Sequence, residues 1–65
     1  MSAADRAERV TLAAYVAALE RAADAIAEVR RIQPDPGFDH AMERLRAMAG
    51  QATARLLLLD DDPQA

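Results

Sequence analysis

Apolar positions in the first half of the chain recur at spacings of three and four. Leu12, Tyr15, Leu19, Ala22, Ile26 and Val29 step by 3, 4, 3, 4 and 3, the heptad rhythm of a helix packed along one seam. Ala3 to Ile32 holds neither Gly nor Pro and is dominated by Ala, the strongest helix former. Ser2 with Asp5 three residues later makes a capping-box-like start. Asp5 and Glu8 suit the positive end of the helix dipole, and Arg30 and Arg31 suit the negative end. The pattern predicts a first helix over about 3–32, roughly 45 Å long at 1.5 Å per residue.

Gln33-Pro34-Asp35-Pro36-Gly37 breaks the rhythm. Pro34 has no N–H to continue a helix and restricts the residue before it. Asp35 and Pro36 read as N-cap and first position of a second helix; Gly37 is a weak point, with Asp39 as the alternative start. The same spacing then resumes at Phe38, Ala41, Leu45, Met48, Ala52 and Leu59, with Leu56 in place of Arg55. Met42 and Met48 fall on or beside this seam and read as core filling. Asp60, Asp61 and Asp62 oppose the C-terminal dipole and Pro63 follows, which ends the helix. The expected organisation is one domain over 1–65: loop 33–36, helix two over about 36–59, and a disordered tail over 60–65. So short a connection sets the helices antiparallel. The fold class is all-α: an antiparallel two-helix hairpin with a coiled-coil-like seam.

Paired this way, Ile32 is expected near Phe38 at the loop, and Leu12 to Leu19 opposite roughly Gln51 to Leu58 at the open end. There both helices are apolar nearly all round: Leu12 to Leu19 has no polar group but the Tyr15 hydroxyl, and Leu56 to Leu59 has none. Two helices cover only one stripe of each other, so apolar surface must remain outside. Leu12, Tyr15, Val16, Leu19, Leu56 and Leu57 are the candidate partner-binding residues. A self-associated four-helix bundle burying the same side chains is the plainer alternative. Toward the loop, Glu20, Arg21, Asp24, Glu28, Arg30, Glu43, Arg44 and Arg46 are expected on the outer faces.

Composition sharpens the need for a partner. Of 65 residues 52% are apolar, but 17 are Ala, and Tyr15 and Phe38 are the only aromatics. A core of so few large side chains barely offsets chain entropy, and small scaffolds then rely on disulfides, a metal or a partner. The chain has no Cys and one His, His40, which leaves no disulfide and no His-based metal cluster, and His40 itself reads as a solvated residue near the loop. The net charge of −3, with eight Arg interspersed among acids, disfavours nucleic acid as a ligand. The longest apolar run is eight residues, against about 20 for a membrane span, and no signal peptide is evident. No catalytic constellation or cofactor motif appears, so no enzyme activity is expected.

Ala17-Ala18-Leu19-Glu20-Arg21, Ala27-Glu28-Val29-Arg30-Arg31 at the end of helix one, Pro36 opening helix two, Arg46-Ala47-Met48 and the Leu-rich finish together resemble the EscE/YscE/SsaE family. The resemblance runs from about Ala17 to Leu59. These are small cytoplasmic proteins of type III secretion systems, linked to virulence, and they include needle-subunit co-chaperones. The resemblance implies a co-chaperone that joins a TPR-like chaperone and, with it, keeps the needle subunit unpolymerised in the cytoplasm. It brings no catalytic, cofactor or metal residues. The competing expectation is a homo-oligomeric helical-bundle structural or adaptor protein with no chaperone role.

Overall fold

A computed structural model of the chain describes residues 2–60. It contains two helices, α1 (Ala3–Ile32) and α2 (Pro36–Asp60), and no strand among the described residues. They pack against each other along their length as an antiparallel hairpin, a rod of 49 × 14 × 13 Å. Helix two includes Asp60; the remainder of the expected tail, 61–65, lies outside the described residues.

Local chemistry sets each helix end. The Ser2 hydroxyl accepts the Asp5 N–H at 3.1 Å, and the Ser2 carbonyl accepts the Arg6 N–H at 3.1 Å, so Ser2 caps α1. At the other end the Gln33 N–H still reaches the Val29 carbonyl at 2.9 Å while its own backbone is already extended; Pro34 then prevents another turn. Asp35 starts α2. Its Oδ1 accepts the Gly37 N–H at 2.7 Å and its carbonyl accepts the Phe38 N–H at 3.0 Å. The start therefore lies at Pro36 and does not slip to Asp39, leaving a loop of Gln33 to Asp35.

The core is thin and built largely from Ala. Leu19, Ala23, Met42, Ala49 and Ala52 are buried. Flanking them, Leu12, Val16, Ile26, Phe38, Leu45, Met48, Leu56 and Leu59 are half-buried. On α2 every seam position expected from the spacing turns toward α1, joined by Met42 and Ala49. On α1 the seam differs. Leu12, Leu19 and Ile26 face α2, but Tyr15, Ala22 and Val29 turn outward, and Val16, Ala23 and the half-buried Arg30 take the intervening positions. Both sets follow the heptad rhythm and share three members. The inward set brings Ala23, 2% exposed, to the contact with α2, where a small side chain permits close helix packing. It also leaves the Tyr15 hydroxyl in water.

Candidate partner-binding surface

Ion pairs hold the two ends of the hairpin in register. At the loop end Arg30 bridges to Asp39. Near the open end the Arg55 Nε donates to Glu8 Oε1 at 2.8 Å, across 47 residues of sequence. That hydrogen bond, with the attraction of the carboxylate, holds the Arg55 guanidinium above its ordinary value. A third pair, Arg31 with Glu28, lies along α1 one turn apart. All are solvent-exposed, so they contribute to alignment more than to stability.

The six candidate contact residues divide. Leu19 is buried, and Leu12, Val16 and Leu56 are half-buried in the seam; these four are occupied by the partner helix of the same hairpin. Tyr15 and Leu57 alone turn outward, Leu57 being 64% exposed. Two further outward side chains, Val10 at 67% and Leu58 at 70%, lie in the same half of the molecule. Val10 was findable from the pattern: at about 100° per residue it lies roughly 160° round α1 from the Leu12–Leu19 seam. At the open end exposed apolar side chains therefore lie on both helices, Val10 and Tyr15 on α1 and Leu57 and Leu58 on α2, on more than one side of the rod.

Exposed apolar surface is not confined to the open end. Val29 is 45% exposed and Ile32 75% exposed beside the loop. Ile32 turns outward at the loop end, because the helix rotation that turns Ile26 inward carries position 32 away from α2.

The surface is poorly suited to holding a small molecule. Two shallow depressions are each lined by α1 alone, one by Asp24, Ala27, Glu28, Arg30 and Arg31, the other by Arg6, Arg9, Val10 and Ala13. A single helix face cannot enclose a ligand from several sides, as small-molecule sites do. His40 is exposed, and no group of three His, Cys, Asp or Glu side chains with metal-binding proximity occurs among the described residues. No buried side-chain nitrogen or oxygen there lacks a hydrogen-bond partner, and no described helix is long and apolar enough to cross a membrane. No family model, curated protein or solved structure matches the chain.

Proposed function

We infer that this hairpin is a protein-binding co-chaperone without catalytic activity. It joins a TPR-like chaperone of a type III secretion system and helps keep the needle subunit unpolymerised in the cytoplasm. One observation carries the binding part of this reading: at the open end Val10, Leu57 and Leu58 each expose about two thirds of their surface, on a hairpin with no large side chain fully buried among the described residues. Exposed apolar area next to an underfilled core favours a partner that covers it. An amphipathic hairpin suits the concave groove of a helical-repeat protein, which takes apolar side chains at helical spacing. The type III assignment rests on the resemblance in Ala17–Leu59 described above.

The test is recovery of tagged protein from its native cytoplasm, with co-purifying proteins identified by mass spectrometry. A TPR-like protein together with a small helical needle subunit supports the reading. Recovery of bait alone, as a defined oligomer, refutes it and leaves a self-assembling bundle.

A further inference from the structure

We propose that one flank of the hairpin, the groove between the Tyr15 side of α1 and the Arg44 side of α2, takes an amphipathic helix of another protein with acidic residues along one edge. The Glu8–Arg55 ion pair fixes which faces of the two helices adjoin. Tyr15, Ala22 and Val29 follow Glu8 at steps of seven, so they lie on the same side of the α1 seam. Gln51 and Leu58 lie one turn to either side of Arg55, and Arg44 lies three turns before it. Apart from Glu8 these side chains are all exposed. The half-buried Ile26 and Met48 lie between the two rows, on this side of the seam. The walls differ in chemistry. From Thr11 to Val29 the α1 wall is uncharged, with Thr11 and Ala18 beside the Tyr15 row, while the α2 wall presents Arg44, Gln51 and Arg55.

Charge selects the occupant. Between the Glu8–Arg55 pair and the loop, this flank holds no carboxylate among the described residues. At about 100° per residue Glu20, Asp24 and Glu28 fall on the other side or the back of α1, and Glu43 points away from α1. Asp39 lies on the opposite side of α2 and pairs with Arg30. Arg44 makes no ion pair among the described residues. A second copy of this chain does not supply the missing carboxylate: whichever way it lies on this flank it brings another Arg44, and its Glu8 is held by its own Arg55. A helix with an apolar seam over Tyr15, Ala22 and Val29 and acids along one edge suits both walls. Ala18 and Ala22 keep the α1 wall low, so large side chains of the incoming helix enter the groove. The exposed charges set specificity and direction more than affinity. A helix seated over the roughly 32 Å from Thr11 to Ile32, by about half its circumference, covers about 500 Å². The total, near 1,000 Å², is that of a small, transient interface. This flank excludes Val10 and Leu57, and the inference does not rest on the type III reading; either can fail alone.

The probe is a labelled synthetic helix of roughly 21 residues, matched to the groove at 1.5 Å per residue. It carries Ala at heptad position a, Leu at d, Glu at e and Gln elsewhere; a second version has Lys in place of Glu. One acidic edge suffices, because the peptide can lie in either direction and so set that edge over α2. Fluorescence anisotropy with the full-length chain is expected to give a Kd of about 10–100 μM for the Glu peptide, as suits a small interface, and binding at least threefold weaker for the Lys peptide. Arg44→Glu is expected to weaken the Glu peptide about fivefold and to tighten the Lys peptide. Arg46→Glu makes the same charge change on the opposite side of α2 and is expected to alter either Kd less than twofold. Ala22→Gln, an exposed position checked for helicity by circular dichroism, is expected to weaken both peptides about tenfold by raising the α1 wall. No binding of the Glu peptide at about 500 μM overturns the proposal, as does equal binding of the Lys peptide or an equal response to Arg44→Glu and Arg46→Glu. Self-association through this flank also overturns it, and is recognised in sedimentation equilibrium as a dimer of the unaltered chain that Ala22→Gln converts to monomer.

Discussion

Gly50 sits in the middle of α2, where glycine is costly, and nothing within the hairpin requires it. Its φ is not positive, so it supplies no left-handed turn, and a Cβ placed on it meets no heavy atom within 4 Å. Gly50→Ala therefore adds a methyl group into open space and removes the excess backbone freedom of glycine from the unfolded chain. At an interior helix position this is worth about 1 kcal/mol. For a domain of this size about 1 kcal/mol corresponds to a Tm increase of roughly 4–8 °C. Thermal melts by far-UV circular dichroism, at matched protein concentration, measure it. Gly37→Ala is the internal control. There a Cβ lies 3.0 Å from Asp35 Oδ1, the atom that accepts the Gly37 N–H at 2.7 Å, so the carboxylate must shift and the cap is disturbed. Its Tm is expected to rise less than that of Gly50→Ala or to fall. An unchanged or lower Tm for Gly50→Ala would refute the reasoning, because position 50 would then be in contact with something in solution that the hairpin alone lacks.

Other substitutions separate the core from the caps and the open end. Met42→Ala removes a side chain that is 4% exposed; a loss of about 2–5 kcal/mol is expected, visible in urea melts as collapse of most of the cooperative transition. Asp35→Ala deletes the cap of α2 and is expected to cost about 1 kcal/mol, read by the same melts, with Asp35→Asn largely retaining it. Leu57→Gln is expected to change stability by less than about 0.5 kcal/mol, since the side chain is 64% exposed, while weakening capture of the proposed protein partner. Val16→Gln, half-buried in the seam, is expected to lower the melting temperature clearly; equal melts for these two would contradict the division of the open end.

The hairpin was legible because its signals agree: a heptad on each side of Pro34, a capping residue before each helix and a short break between them. On α2 the stripe was legible too, since charged and polar residues such as Glu43, Arg44 and Gln51 occupy its other faces and leave one apolar direction. On α1 periodicity alone could not choose. Leu12, Leu19 and Ile26 belong equally to a stripe completed by Tyr15, Ala22 and Val29 and to one completed by Val16, Ala23 and Arg30, and Ala residues populate both. What decides between them is three-dimensional: how closely Ala23 lets α2 approach, where a phenol hydroxyl finds water, and whether Arg30 can reach Asp39. Of the six candidate contact residues, Leu12, Val16, Leu19 and Leu56 lie in the seam and Tyr15 and Leu57 turn outward; their segments are apolar all round, and segment hydrophobicity carries no direction.

The brevity of the loop has a kinetic consequence. The Arg30–Asp39 contact closes only 9 residues of chain, the Glu8–Arg55 contact 47. By the logarithmic growth of closure entropy with length, the longer closure costs about 1.5 kcal/mol more if made first. Pairing is therefore expected to zip from the turn outward, and opening to run in reverse. Val10, Leu57 and Leu58 thus lie on the segment that joins last and frays first. In hydrogen exchange this half would be the first to lose protection, so an incoming binding partner meets the apolar side chains on the most deformable part of the rod.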